Sequence, residues 1–120
     1  MVDRRVTDGI RIARLLASEV EGHGGRLAAV SVVAADPDVD PTAEGAFAYA
    51  IARDGDRLAE VYVRPDGVRV EFLVAPDRAA AAAAGRDLAV RRPDGTAHTL
   101  VAVEDGAAVK RALRVVEAVA

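Results

Sequence analysis

The stretch AFAYAIARDGDRLAEVYVRPDGVRVEFLVA, residues 46–75, decides the fold because two turn signals divide it into three alternating apolar runs. Asp54-Gly55 between such runs predicts a two-residue type I′ hairpin turn. The RPDG tetrapeptide, Arg64–Gly67, predicts a three-residue hairpin loop closed by a glycine bulge, since proline pre-sets φ and glycine accepts positive φ. We therefore expect three consecutive antiparallel strands.

These two turns also predict which side chains share a face of the sheet. The Asp54-Gly55 turn would pair Arg53 with Asp56, Ile51 with Leu58, Tyr49 with Glu60 and Phe47 with Tyr62. The RPDG loop would pair Tyr62 with Val70, and Arg69 and Glu71 would lie on the reverse face. Because side chains alternate along a strand, the bulky residues would then all lie on one face, which we expect the terminal helices to cover. That face would hold Phe47, Tyr49, Ile51, Leu58, Tyr62, Val70, Phe72 and Val74.

Helices are expected at both ends of the chain. The first is predicted from Asp3 to Glu21, with Thr7 or Asp8 as the competing start, and the last runs from Gly106, capped by Asp105. Apolar residues at helical spacing define the core stripe of each helix. The stripes are Val2, Val6, Ile10, Ala13, Ala17 and Val20 in the first helix, and Val109, Ala112, Leu113, Val116 and Ala120 in the last.

The remaining segments complete the order α-β-β-β-β-α-β-β-α. Residues 27–34 are almost wholly apolar, which predicts a strand covered on both faces, and residues 35–45 predict a surface loop. A short helix over 79–84, with Asp77 as its N-cap, precedes a second RPDG turn at 92–95 that would join two more strands. This order predicts a two-layer α+β domain over residues 1–120, with about six antiparallel strands packed by the two terminal helices and one short helix.

Composition excludes several classes of protein. There is no cysteine, which excludes disulfides, cysteine zinc sites and thiol catalysis, and the net charge is −3. Neither a signal segment nor an apolar run long enough to cross a bilayer is present, so we expect a cytoplasmic protein with no membrane contact. The arginine-, alanine- and valine-rich composition is typical of a GC-rich genome. Twelve aspartates against seven glutamates favour a halophilic archaeon, although a GC-rich bacterium fits nearly as well.

Few residues carry the signature of catalysis or metal binding. His23 and His98 have no neighbours at metal-ligand spacing, and His98 is predicted on a strand opposite Val90. The acidic loop has prolines where a calcium loop needs its turn. Phosphate-binding loops, dinucleotide fingerprints and nucleophile elbows are absent. No catalytic residue, cofactor or metal site is predicted, and the sequence leans away from an enzyme.

Three sets of residues remain as candidate binding surfaces. A carboxylate among aromatic rings at Tyr49, Glu60 and Tyr62 is a candidate small-ligand site, although a glutamate bonded to the Tyr49 hydroxyl is the plainer interpretation. Apolar residues off the predicted core stripes would mark a symmetric dimer interface. These are Ile12, Leu15 and Val115.

A basic surface on the terminal helices is the alternative. If the helices lie side by side, six cations share one surface that would suit a nucleic acid, a partner that the acidic balance disfavours. They are Arg4, Arg11, Arg14, Lys110, Arg111 and Arg114. Our leading hypothesis is a non-catalytic interaction or regulatory module that acts as a homodimer or binds a protein partner.

Two family resemblances accompany this interpretation. The stretches LAEVYVRPDGVRVEF (58–72) and HTLVAVEDGAAVKRALRVVEAVA (98–120) resemble MmcQ/YjbR-like proteins. These are small α+β domains with an N-terminal helix, an antiparallel sheet and a closing helix, and the resemblance implies a DNA-binding role. TDGIRIARLLASEVEG, ARDGDRLAEVYV and VEDGAAVKR resemble short uncharacterised haloarchaeal proteins, a likeness that implies no function.

Overall fold

The computed structural model describes residues 8–22 and 24–120, with only the backbone of Arg26. The predicted order of helices and strands and the α+β class are confirmed, with one additional 3₁₀ turn at Gly25–Leu27. The elements are α1 Gly9–Gly22, β1 Val30–Val33, β2 Ala46–Arg53, β3 Asp56–Arg64, β4 Gly67–Phe72, α2 Pro76–Ala84, β5 Val90–Arg91, β6 Thr99–Val103 and α3 Gly106–Val119. The six strands form one antiparallel sheet in the order β1-β2-β3-β4-β6-β5.

Helix α1 spans Gly9–Gly22, and its start is close to the alternative start at Asp8, while the predicted start at Asp3 lies outside the described residues. Asp8 accepts a hydrogen bond from Arg11 N (3.2 Å), as an N-cap does. Gly9 N donates to Pro65 O (3.2 Å), and a Cβ at Gly9 would overlap the carbonyl oxygen of Arg64. The start of the helix thus rests directly on the backbone of the first RPDG turn, which only glycine permits.

This contact sets the rotation of α1 about its axis. Ile12, Leu16 and Val20 are fully buried, whereas Ile10 and Ala17 of the predicted stripe are only partly buried. The predicted stripe was therefore correct for Ala13 and Val20, which are buried, and wrong for Ile10 and Ala17, while Val2 and Val6 lie outside the described residues. Helix α3 begins at Gly106 as predicted, and the Asp105 carboxylate accepts from Ala108 N (2.8 Å).

The β2–β3 hairpin contains two irregularities that the turn alone does not predict. Asp54 and Gly55 both have positive φ (50° and 88°), as a type I′ turn requires, and the pair Arg53–Asp56 follows. One register shift then falls between Ile51 and Ala52 and another between Phe47 and Tyr49. Because a one-residue shift moves side chains to the other face, the predicted pairs Tyr49–Glu60 and Ile51–Leu58 were wrong, while Phe47–Tyr62 was correct.

The first RPDG turn is tighter than predicted. Arg64 pairs with Gly67, so the loop has two residues, and Gly67 does not have positive φ. Instead, a Cβ at Gly67 would lie 3.1 Å from Val103 O. Glycine at this position therefore allows the end of β6 to pack closely against the start of β4. The register of β4 is therefore one residue off the predicted one, and Tyr62 faces Arg69 rather than Val70.

The sheet edges also differ from expectation. Strand β1 is an edge strand with exposed Ser31, so it is not covered on both faces. The second RPDG segment lies in a longer connection in which Gly95 has φ 79°, and Val90 pairs with Val101 rather than with His98. Helix α2 is preceded by Ala75 in the left-handed region, so Asp77 lies in its first turn and is not the cap.

All three helices cover one face of the sheet and leave the other face open. Helix α3 packs beside both α1 and α2, and α1 lies over β1, β3 and β4. The core between these layers consists mainly of valine, alanine and leucine. Within the part of the chain that the structure describes, no helix is long and apolar enough to cross a membrane.

Candidate functional site

The structure separates the three residues of the predicted ligand site. Tyr49 pairs with Val61 on the helix-covered face, where its hydroxyl donates to Ala13 O (2.7 Å) and burial raises its pKa. Glu60 and Tyr62 lie on the open face. A glutamate bonded to a tyrosine hydroxyl is present, but the tyrosine is Tyr62, which donates to Glu60 Oε1 over 2.9 Å.

The four aromatic residues are therefore divided equally between the two faces. Tyr49 and Phe72 are buried under the helices. Phe47 and Tyr62 meet edge to face on the open side, with ring centroids 5.8 Å apart. The prediction that all four share one face was wrong for two reasons: the register shift beside Ala48 separates Tyr49 from Phe47, and the two-residue RPDG turn places Phe72 on the face opposite Tyr62.

Polar side chains extend this aromatic pair across the open face. Arg57 Nη1 lies 2.8 Å from Glu60 Oε2, and its guanidinium carbon lies 5.8 Å from the Phe47 ring centroid. The i,i+3 pair between Arg57 and Glu60 exists because the register shift beside Leu58 brings both residues to one face. Glu60 thus connects an arginine to a tyrosine.

The second half of this network lies on β4 and the segment before β6. The Arg69 guanidinium carbon lies 4.6 Å from the Tyr62 ring centroid, and Arg69 Nε lies 3.7 Å from Glu71 Oε2. Glu71 Oε1 lies 3.0 Å from His98 Nδ1. We call this set the sheet-face strip. It comprises Phe47, Arg57, Glu60, Tyr62, Arg69, Glu71 and His98.

The strip is partly buried, and its side chains pair with one another, although the buried Nε of Arg69 has no hydrogen-bond partner among the described residues. The side chains of Glu60 and Glu71 are 21% and 19% exposed, and Arg69 Nη1 is held by Glu44 O at 2.6 Å. Burial, followed by the hydrogen bond to Glu60 and the charges of both glutamates, raises the Tyr62 pKa to about 12, against the opposing effect of Arg69. Tyr62 is therefore a neutral donor at physiological pH.

This arrangement favours binding over catalysis. Each carboxylate of the strip is already engaged by an arginine, a tyrosine or a histidine, and so is not poised to take a proton from a substrate. Among residues 8–22 and 24–120, no group of three or more histidine or acidic side chains is placed to hold a metal ion. Tyrosine and arginine beside a phenyl ring are the residue types enriched at protein interfaces.

A groove of about 600 Å³ lies on the opposite, helix-covered side of the sheet. One wall is the partly buried flank of α1 at Ile10 and Ala17, and the other is the acidic loop 35–41. Tyr49 lines it as well. The loop was correctly predicted to lack regular structure, but its position against α1 was not predicted.

The predicted basic surface is only partly assembled. Helices α1 and α3 do pack side by side, but Lys110 Nζ lies 3.6 Å from Glu19 Oε1 and Arg114 Nη1 lies 2.7 Å from Glu117 Oε1. Arg11 and Arg14 are exposed and Arg111 is partly buried, while Arg4 lies outside the described residues. Two of the cations are thus paired with acidic side chains, which weakens the positive electrostatic potential that would attract the phosphates of a nucleic acid.

The predicted apolar interface on the helices is not present. Ile12 and Val115 are fully buried in the core, so they were wrongly assigned to the surface. Leu15 is 41% exposed and is the one large apolar side chain in the exposed class among the described residues. A single exposed leucine does not make an interface.

Sequence reasoning missed four members of the strip: Arg57, Arg69, Glu71 and His98. The alternation of Arg69 and Glu71 along β4 was visible, and it correctly indicated a face away from the helices. What the sequence did not reveal was that Phe47 and Tyr62 share that face, because the RPDG residue types favour a three-residue loop, whereas the two-residue turn of the structure pairs Tyr62 with Arg69.

Comparison with known proteins adds a family but no activity. No curated protein and no solved structure matches the chain. A model for a family of unknown function, DUF7993, matches residues 1–120. Since this match spans the whole sequence, the chain belongs to the family DUF7993.

Proposed function

We propose that this protein is a non-catalytic interaction module that pairs with a second copy of itself through the open face of the sheet. The observation that carries the proposal is the sheet-face strip: an aromatic pair and interlocked charges on a six-stranded sheet face that none of the three described helices covers. A homodimer through the helices was expected from the sequence, and the burial of Ile12 and Val115 leads us to propose the sheet face instead.

The size of the open face suits such a dimer. Six strands spaced at about 4.8 Å span about 29 Å, and strands that average just under six residues run roughly 19 Å. Roughly 550 Å² per copy, or about 1,100 Å² in total, is then available, which is just below the lower limit of a standard specific interface and typical of a transient one. The proposed dimer is therefore of modest, reversible affinity.

The charges of the strip also support self-association. Arg57 is paired with Glu60, and Arg69 with Glu71, so a partner that covers the strip does not bury an unpaired charge from either set. Alternating arginine and glutamate is self-complementary, because a two-fold axis can place the arginines of each copy against the glutamates of the other. Phe47 and Tyr62 would supply the apolar centre.

Sedimentation velocity over a range of protein concentrations tests this proposal. We expect a species of about twice the 12.5 kDa chain mass, in concentration-dependent exchange with the monomer. Phe47→Glu, which places a carboxylate at the centre of the strip, should yield the monomer at every concentration. Leu15→Glu, the matched change on the helix side, should leave the dimer intact.

Circular dichroism of both variants shows whether the fold survives the substitutions. A wild-type monomer at the highest attainable concentration would refute the proposal. So would a dimer that Leu15→Glu dissociates and Phe47→Glu does not, because the interface would then lie on the helices.

A further inference from the structure

We propose that the groove between α1 and the acidic loop binds a small organic cation, a molecule with an apolar body and one positively charged group. This site lies on the helix-covered side of the sheet and is independent of the proposed dimer face. Its volume of about 600 Å³ falls within the usual range for small-molecule sites, roughly 300–1,000 Å³.

The lining of the groove suits the apolar body of such a ligand. Partly buried hydrophobic side chains face it from three elements that pack on the core: α1, β1 and the acidic loop. They are Ile10, Ala17, Val32 and Val39. Ala17 is small, so α1 leaves space where a larger residue would have filled the groove. Burial of apolar ligand surface here would supply most of the affinity.

The walls are held in place without a ligand. Asp36 N donates to Ala48 O (2.7 Å) and Thr42 N donates to Val63 O (3.3 Å), which ties both ends of the acidic loop to the sheet. Pro37 and Pro41 fix φ within it. A pre-organised groove of this kind loses little conformational entropy when it binds.

The charges around the groove select the sign of the ligand. Three acidic residues, Asp36, Asp38 and Asp40, line it against one basic residue, Arg14. One oxygen of Asp36 accepts from Asp38 N (2.9 Å). Among residues 8–22 and 24–120, neither Asp38 nor Asp40 has an ion-pair partner. The excess of negative charge at the rim of an apolar groove fits a cation and disfavours an anion.

Three probes with one apolar body separate these contributions: 4-phenylbutylamine, 4-phenylbutanol and 4-phenylbutyrate. We expect calorimetric titration to rank them amine, alcohol, carboxylate. Two exposed carboxylates at surface ion-pair strength give the amine about a fivefold to tenfold advantage over the alcohol. Amide chemical-shift changes should map to residues 10–17 and 35–41, and the advantage should shrink at high salt.

Matched variants test the two halves of the site. Asp38→Asn/Asp40→Asn should bring the amine down to the affinity of the alcohol. Asp66→Asn/Asp94→Asn, the same change of charge in the two RPDG turns, should not alter the ranking. Ala17→Leu, which narrows the groove, should weaken amine and alcohol alike by about tenfold, since the larger side chain displaces roughly 55 Å² of the apolar ligand surface that would otherwise be buried.

Several outcomes would overturn the inference. They are no amine binding at millimolar concentration, equal affinity for amine and carboxylate, or shift changes confined to the open sheet face. The Phe47→Glu variant should bind the amine as the wild type does, so failure of the dimer and failure of the groove are distinguishable.

Discussion

Gly9→Ala is expected to destabilise the protein even though alanine is the better helix former. Gly9 is the first residue of α1, and helix propensity alone would favour alanine by up to about 1 kcal/mol. In the structure, an added Cβ would overlap Arg64 O and come within 2.7 Å of Gly67 O, and both atoms belong to backbone. Neither atom can turn aside, so α1 must move off the RPDG turn.

The cost of that movement can be worked out from the contacts. Forced overpacking costs about 1–3 kcal/mol. Loss of the hydrogen bond from Gly9 N to Pro65 O adds about 1 kcal/mol. After the propensity gain is subtracted, we expect a net loss of about 2 kcal/mol, which for a chain of this length lowers Tm by roughly 8 °C.

Urea unfolding followed by circular dichroism measures this change as a shift in midpoint at constant slope. Gly22→Ala, at the other end of α1, is the matched control, because a Cβ there would have no atom within 4 Å. The control should be unchanged or slightly more stable. If Gly9→Ala were as stable as wild type, the proposed docking of α1 on the first RPDG turn would be wrong.

Two further predictions follow from single contacts. Asp105→Ala should lower the free energy of unfolding by about 1 kcal/mol, because the N-cap hydrogen bond from Ala108 N is lost, and asparagine at position 105 should retain most of the stability. If urea unfolding gave the same stability for the wild type, Asp105→Ala and Asp105→Asn, a capping role would be excluded. The pKa of Tyr62 is raised from its ordinary value of 10.0 to about 12 in the folded protein, so Tyr62 favours the folded state below pH 10, and that contribution should vanish as the pH rises from 10 to 12. A pH titration followed by phenolate absorbance should show that Glu60→Gln removes only part of the rise in the Tyr62 pKa, since burial is the largest cause of that rise. An unchanged Tyr62 pKa in this variant would contradict the role of Glu60.

Local signals in the sequence were sufficient for the element order but not for the register. Asp54-Gly55 predicted its own turn correctly because the residue types restrict φ, and Asp105 predicted the start of α3 for a similar reason. Register shifts beside Ala48 and Leu58 arise from packing between layers, for which these residue types give no local signal. The predicted β2–β3 pairs Arg53–Asp56 and Phe47–Tyr62 were therefore correct, and those between them were wrong.

The rotation of α1 illustrates the same limit. Its sequence carries apolar residues on two overlapping stripes, one with Ile12 and Leu16 and the other with Ile10 and Ala17. Periodicity alone does not decide between them, and the choice depends on the contact of Gly9 with a turn more than fifty residues away in sequence. The second stripe then becomes a wall of the groove, which is why that groove was not predicted.

The division of the aromatic rings follows from the small volume available between the layers. The buried faces of α2 and α3 include Ala79, Ala83, Ala108 and Ala112, and alanine faces bring helices close to the sheet. The predicted pairing of β2, β3 and β4 would place four rings in that narrow layer. The shift beside Ala48 and the two-residue RPDG turn leave Tyr49 and Phe72 inside and turn Phe47 and Tyr62 outward, so the alanine-rich core is matched by an aromatic open face.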